Sequence, residues 1–157
     1  MTDWISLVGF LAICLAASGL GGLATGRSVG DWYKDLRKPS WTPSGRFIGI
    51  VWSVLYVLMA ISVWLVWVSG PLDQIYVQII LFFFQLGLNV AWSFLFFWLR
   101  DLRLALMEVV ALWAAILLTM ISFLFADVIA GLLLVPYITW VSVASLLNYA
   151  ILRLNPK

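Results

Sequence analysis

The chain has 157 residues, of which 65% are hydrophobic and only 10% are charged. A soluble domain is about half apolar and about a quarter charged, so this composition excludes an ordinary water-soluble protein and, equally, a disordered one. The sequence has no histidine and a single cysteine, Cys14, which excludes histidine-based catalysis, an intrachain disulfide and a cysteine-cluster metal site. We therefore predict no metal site, and a net charge of +2 gives no indication of a nucleic-acid partner.

Five apolar segments follow one another along the chain and predict an all-α membrane protein. Each is long enough, at about 1.5 Å per residue, to cross a hydrocarbon core of about 30 Å, whereas strands would leave unpaired edges in lipid. The first segment has no positive charge before it and is too long for a signal core, so we expect it to be retained. The predicted five-transmembrane-helix bundle is a single domain over 1–157, with helices at about 4–25, 47–68, 75–99, 104–126 and 128–152.

The charges are distributed unequally between the two ends of this bundle. All nine Lys and Arg residues fall in the long loop 26–46, the turn 100–103 or the C-terminal tail, which lie on one side. The other side has Asp3, Asp73 and Asp127. By the positive-inside rule, the N-terminus is outside and the C-terminus is cytoplasmic.

The long loop contains capping signals as well as charges. Asp31 is expected to cap a short helix through Leu36, and Thr42 followed by Pro43 is typical of the start of the second spanning helix. Two interpretations of its aromatic residues stay open, an interfacial belt or a lid folded over the mouth of the bundle. These residues are Trp32, Tyr33 and Trp41.

Three of the predicted helices carry polar and aromatic residues three or four positions apart. An amide in hydrocarbon needs a partner, so these stripes are expected to face inward and to wall a cavity for a flat, conjugated ligand. The alternative is that they only hold the helices together. The stripes are Trp52 and Tyr56 with Ser53 beside them; Gln85, Asn89, Trp92 and Ser93; and Tyr137, Trp140, Ala144 and Asn148.

Small residues also recur at helical spacing. Gly87 and Ala91 form one patch on the third helix, and Ser18, Gly22 and Gly26 repeat every four residues on the first. Either set could form an interface between protomers or allow close packing within one bundle.

Three further residues have a weaker functional signal. Glu108 is placed within an apolar span, where it either extends toward the cytoplasmic surface or serves as a proton or ligand contact. Tyr149 and Arg153 fit a loose sterol-contact pattern that begins at Leu147.

Several motifs resemble the TspO/MBR family of tryptophan-rich sensory and translocator proteins. The similarity covers the whole chain, and one departure is Ser44, where members commonly have a second proline after Pro43. The motifs are Trp32-Tyr33-x-x-Leu36-x-Lys38-Pro39-x-Trp41-x-Pro43, then Trp52 and Tyr56, Asn89-x-x-Trp92-Ser93-x-x-Phe96-Phe97, and Pro136-Tyr137-x-x-Trp140.

The resemblance implies a five-helix bundle, usually a homodimer, that binds porphyrins and heme-pathway intermediates without an obligatory cofactor. Protoporphyrin IX or heme would be the ligand, and synthetic isoquinoline carboxamide and benzodiazepine-type ligands would occupy the same pocket. The dimer contact would include Gly87 and Ala91, and the sterol contact of animal relatives maps weakly onto Tyr149 and Arg153. A bacterial cell membrane, the expected location, lacks cholesterol. Where the motifs match, the resemblance implies a pocket that includes Tyr33, Trp52, Asn89, Trp92, Trp140 and Ala144. The polar and aromatic stripes add Tyr56 and Tyr137.

The resulting hypothesis is a membrane receptor or carrier that acts in tetrapyrrole transport or sensing. Trp52 and Trp140 would stack on the macrocycle, Asn89 and Tyr33 would form hydrogen bonds with polar edges, and Arg46 could pair with propionates near a helix N-terminus. One alternative is an enzyme that degrades protoporphyrin IX with light and oxygen through radical chemistry at Trp52 and Trp140. Another is a structural or regulatory subunit that binds no small molecule.

Overall fold

The computed structural model describes residues 2–156, and within them every regular element is a helix. Lys157, one of the nine basic residues counted above, lies outside the described residues, as do the side chains of Asp3 and Arg27. The elements are α1 (Thr2–Val29), α2 (Trp32–Asp35), α3 (Gly45–Ser69), α4 (Leu72–Ser93) with a π-helical turn (Phe94–Trp98), α5 (Leu102–Ala126), α6 (Val128–Leu133) and α7 (Val135–Leu154).

Five helices among the described residues are long and apolar enough to span a membrane, which confirms the predicted number. Orientation of the termini relative to the two sides of the membrane stays a prediction. The spans are Trp4–Gly26, Gly45–Ser69, Leu72–Trp98, Leu102–Ala126 and Val128–Leu154.

The loop between the first two spans is shorter than predicted and is capped differently. Helix α3 begins at Gly45 because Ser44, and not Thr42, is the N-cap, with its Oγ accepting a hydrogen bond from Phe47 N at 3.3 Å. The Thr42 hydroxyl instead donates to the Pro39 carbonyl at 2.7 Å and closes a turn. Asp31 makes no side-chain cap on α2.

The fifth span is not the single continuous helix that was predicted over 128–152. It is interrupted at Leu134, two residues before Pro136, because proline has no N–H and cannot continue the hydrogen-bond ladder of the preceding helix. The third span ends in the π-helical turn, where Leu99 N donates to Phe94 O at 2.9 Å. Arg100, at φ 56°, then reverses the chain toward α5.

Side chains fill the half of the bundle away from the long loop. Trp4 stacks on Trp64 with ring centroids 6.2 Å apart, and Phe82 lies 6.5 Å from Phe10 and 6.4 Å from Phe123. Phe10, Phe82 and Phe123 are buried and pack with aliphatic side chains between α1, α3, α4 and α5.

The long loop, the turn before α5 and the C-terminus meet at the opposite end. The guanidinium of Arg100 lies 5.9 Å from the ring centroid of Trp32, and the backbone of Arg37 forms hydrogen bonds with the Asn155 side chain. The segments predicted to carry the positive charges therefore share one end of the molecule, which we call the loop end.

Candidate functional site

A cavity of about 470 Å³ opens inside the loop end of the bundle. Helix α1 contributes small residues, whereas α3, α4 with its π-helical turn, α7 and the long loop contribute larger ones. The α1 residues are Ser18, Gly21, Gly22, Thr25, Gly26 and Val29. The principal side chains from the other elements are Tyr33, Trp52, Tyr56, Asn89, Trp92, Ser93, Phe96, Phe97, Trp140 and Ala144.

Three tryptophans form much of the cavity wall, and each is held by an identifiable contact; the Trp140 ring lies 6.1 Å from that of Phe47. The Trp92 indole donates to Asn148 Oδ1 at 3.3 Å, and the Trp52 ring lies 5.9 Å from that of Tyr56. The third, Trp140, has a buried Nε1 that finds no hydrogen-bond partner within residues 2–156. A buried indole N–H normally has a partner, so the Trp140 N–H is a spare donor, although protein atoms cover it and it is not open to the cavity.

Four buried polar side chains form a continuous series of hydrogen bonds beneath the cavity. Tyr56 donates to Asn89 Oδ1 at 2.7 Å, Asn89 Nδ2 donates to the Tyr137 hydroxyl at 2.7 Å, and Tyr137 donates to Gln85 Oε1 at 2.8 Å. All four are at most 4% exposed. These four hydrogen-bonded residues, which we call the polar layer, join α3, α4 and α7. The polar layer leaves Asn89 one further N–H for a ligand.

The long loop covers the cavity at the loop end. The Tyr33 ring lies 5.6 Å from that of Phe97, and the Lys38 ammonium lies 4.6 Å from the Tyr33 ring centroid. The same ammonium donates to the carbonyls of Tyr33 at 2.5 Å, Leu36 at 3.0 Å and Lys34 at 3.2 Å, which caps α2. Burial raises the pKa of the Tyr33 phenol, so its hydroxyl stays a donor.

The middle of the loop and the end of α1 before it are each fastened to more distant parts of the chain. Arg37 N donates to Asn155 Oδ1 at 3.0 Å, and Asn155 Nδ2 donates to Arg37 O at 2.9 Å. The Ser28 hydroxyl, at the end of α1, donates to the carbonyl of Phe97 in the π-helical turn. These contacts give the loop the position of a lid.

The structure brings most of the predicted pocket residues to one cavity. Tyr137 is the exception, since it lies in the polar layer behind the cavity and not among the lining side chains. Arg46 is exposed and follows Gly45, which lines the cavity. The predicted residues that line it are Tyr33, Trp52, Tyr56, Asn89, Trp92, Trp140 and Ala144.

Helix α1 was not predicted to belong to the site. Ser18, Gly22 and Gly26 were interpreted as an interface or as close packing, yet all three line the cavity. Their regular spacing was the available signal. Ser53, expected to accompany Trp52, is exposed and donates to the carbonyl of Gly49 in its own helix at 2.9 Å.

The other residues singled out in the sequence lie away from the cavity. Gly87 is exposed on α4 and Ala91 is half-buried, while Tyr149 and Arg153 are exposed on α7. Glu108 does not extend to the surface as the simpler interpretation expected, because both carboxylate oxygens are buried without a hydrogen-bond partner in residues 2–156.

Chemically, the cavity is an aromatic and apolar chamber with few hydrogen-bonding groups. Its volume is within the roughly 300–1,000 Å³ that small-molecule sites occupy. Indole rings favour a flat, conjugated partner, and the donors of Asn89 and Tyr33 favour one with acceptor atoms at its edges.

Comparison with known proteins agrees with this architecture. The family model of the TspO/MBR family matches residues 10–154. The chain is 39% identical over 147 residues to the tryptophan-rich protein TspO of Chlorobaculum tepidum, with 93% of each chain covered. It is 33% identical to the tryptophan-rich sensory protein of Cereibacter sphaeroides (98% of this chain, 93% of the relative). It is 34% identical to the human translocator protein (97% of this chain, 91% of the relative). The chain therefore belongs to the TspO/MBR family.

Proposed function

We propose that this integral, multi-pass membrane protein binds a porphyrin in the loop-end cavity and acts in tetrapyrrole sensing or transport. Family membership and the names of the relatives, sensory protein and translocator protein, support a sensory or transport role at a membrane. Protoporphyrin IX and heme are the proposed ligands.

The observation that carries this proposal is the convergence of three indoles on one chamber. Trp52, Trp92 and Trp140 come from three different helices and line the same cavity. A planar macrocycle gains from stacking on such rings.

Quenching of tryptophan fluorescence by protoporphyrin IX tests the proposal on the purified protein in detergent. Trp140→Ala is expected to weaken binding about tenfold, because it removes one of the three stacking surfaces. Trp140→Phe, which keeps a smaller aromatic ring, should fall between wild type and Trp140→Ala. Trp67→Phe is the control, since Trp67 is 39% exposed and does not line the cavity.

Unchanged affinity in Trp140→Ala would refute the proposed site and would favour a subunit without a small-molecule ligand. A parallel titration with heme adds a second test. With no histidine in the sequence, heme lacks its usual axial ligand, so both porphyrins are expected to bind about equally well. A strong preference for heme would contradict the stacking mode.

One observation also supports the alternative of light-dependent protoporphyrin breakdown. Trp52 and Trp140 both line the cavity, so a bound porphyrin would be in contact with the indoles that radical chemistry would use. Illumination of the complex in air distinguishes the two functions. A binder leaves the porphyrin absorption band as stable as in buffer, whereas an enzyme bleaches it in a way that Trp52→Phe or Trp140→Phe prevents.

We also propose a bacterial cell membrane as the location, a cytoplasmic loop end, and a homodimer formed through α4. Gly87 supports the dimer, because it is exposed and no heavy atom lies within 4 Å of a Cβ built on it. Its open backbone would admit a neighbouring helix. A sterol contact at Tyr149 and Arg153 is compatible with their exposure to the surroundings.

A further inference from the structure

The wall of the cavity between α1 and α3 contains four exposed glycines among larger residues such as Thr25 and Ile48. Gly22 and Gly26 of α1 and Gly45 and Gly49 of α3 all line the cavity and are all exposed. No heavy atom lies within 4 Å of a Cβ built on any of these four glycines. Gly21 differs, because its Cβ would meet Ser93 Oγ at 3.1 Å. The four exposed glycines therefore do not serve close packing but frame an opening.

Helix α3 has fully buried residues at only one of its ends, and its loop end is held to α7 by Phe47, whose ring lies 6.1 Å from that of Trp140. Seven residues between Leu55 and Val66 are buried, whereas none of those from Gly45 to Val54 is. At the packed end, Trp4 stacks on Trp64 and joins α1 to α3. The two helices thus hold together far from the loop and leave a gap beside the cavity.

Along the axis of the bundle, contacts close the cavity in both directions. Toward the loop end, Tyr33 packs on Phe97, and the two hydrogen bonds between Arg37 and Asn155 hold the lid. Toward the opposite end, the cavity meets the polar layer and then tightly packed rings.

We propose that a ligand enters and leaves the cavity sideways, from the lipid of the loop-end leaflet, through the gap framed by Gly22, Gly26, Gly45 and Gly49. The identity of the ligand in this inference rests on the proposed function. Gly49 lies about 6 Å along α3 from Gly45 at 1.5 Å per residue, so the gap is at the shallow, headgroup-to-acyl depth. A planar apolar ring with carboxylates at one edge would rest there, with its charges near exposed Arg46.

The kinetics of porphyrin binding test this route in lipid nanodiscs. The double variant Gly22→Leu/Gly49→Leu fills the gap, and Gly19→Leu is the control, because Gly19 is an exposed α1 glycine that does not line the cavity. Stopped-flow quenching by protoporphyrin IX should show association and dissociation both slowed at least about tenfold in the double variant and changed less than about twofold in the control.

Whether the dissociation rate falls or rises in the double variant distinguishes a blocked passage from a damaged binding site. A blocked passage raises the barrier in both directions, whereas damage to the binding site makes the ligand leave faster. Dissociation that is unchanged or faster in the double variant would overturn the proposal.

A second measurement needs neither porphyrin nor a blocking variant. In a Cys14→Ala/Ala144→Cys protein, the only thiol lies in the cavity wall, since Cys14 is the single native cysteine. Lateral access predicts that pyrene maleimide, which partitions into lipid, labels this thiol at least about tenfold faster, relative to free cysteine, than a sulfonated maleimide confined to water. Equal relative rates would refute it.

The two measurements separate failure of the route from failure of the proposed function. If wild type binds porphyrin but the glycine substitutions leave both rates unchanged, the lateral route is wrong and the binding function stands. If wild type binds no porphyrin but the lipid-soluble reagent is preferred, the function is wrong and the opening stands.

Discussion

Removal of the Tyr137 hydroxyl tests whether the polar layer stabilises the bundle. This hydroxyl accepts from Asn89 Nδ2 at 2.7 Å and donates to Gln85 Oε1 at 2.8 Å, and Tyr137 is 1% exposed. In Tyr137→Phe, one N–H of Asn89 and the Gln85 side-chain oxygen lose their partner, and Gln85 is 1% exposed and does not line the cavity.

The expected cost follows from the number of hydrogen bonds that are lost. Hydrogen bonds between membrane helices average about 0.6 kcal/mol and reach about 1.7 kcal/mol. Two such bonds give about 1–3 kcal/mol of lost unfolding free energy for Tyr137→Phe. Tyr56→Phe removes one bond, to Asn89, and should cost about half as much.

Reversible unfolding by SDS in mixed micelles measures these free energies. Tyr76→Phe is the matched control, because Tyr76 is on α4 but is 53% exposed, and its change should stay within about 0.5 kcal/mol. The expected order of destabilisation is Tyr137, then Tyr56, then Tyr76. If Tyr137→Phe were no more destabilising than Tyr76→Phe, the polar layer would contribute nothing to stability and the reasoning would fail.

Glu108→Met is expected to raise the unfolding free energy by about 1–2 kcal/mol, because both carboxylate oxygens are buried without a partner in residues 2–156. A lower unfolding free energy of the variant in SDS denaturation would contradict this. Asn155→Ala should speed hydrogen exchange of the Arg37 amide about threefold to tenfold, since two hydrogen bonds to the lid disappear, and unchanged exchange would mean that they do not hold it. Burial raises the pKa of Tyr33 above its ordinary value of 10.0. Tyr33 should therefore be less than half ionised at pH 10, as the 295 nm difference between wild type and Tyr33→Phe would measure. The stability that it contributes is present below pH 10 and is lost as the pH rises through the raised pKa, and half or more phenolate at pH 10 would contradict the burial.

The spanning helices could be predicted from the sequence because hydrocarbon leaves the chain few choices. An apolar segment of this length can satisfy its backbone only as a helix, and a buried amide such as Asn89 must face a partner. Trp52 and Tyr56, one turn apart, necessarily share a face of α3. These local rules were enough to bring residues from three helices to one cavity.

Features that depend on contacts between distant residues could not be predicted in this way. The π-helical turn consists of apolar residues whose composition does not distinguish it from an α-helix, yet it places both Phe96 and Phe97 at the cavity. Asn155 holds Arg37 across 118 positions of sequence. Small residues on α1 were equally ambiguous, because a glycine such as Gly22 has the same spacing whether it faces a helix, a partner or an opening.

The position of the cavity bears on the choice between sensing and transport. Its lining residues come from 18–29 of α1, 45–56 of α3, 89–97 of α4 and its π-helical turn, 140–148 of α7 and the long loop, so it occupies the loop-end half of the bundle. The other half is filled by fully buried side chains such as Met59, Phe82 and Phe123. A passage across the membrane would have to separate these side chains and break the polar layer, leaving several polar groups unsatisfied in hydrocarbon. A receptor that exchanges its ligand with one leaflet needs no such rearrangement, and the architecture therefore favours sensing.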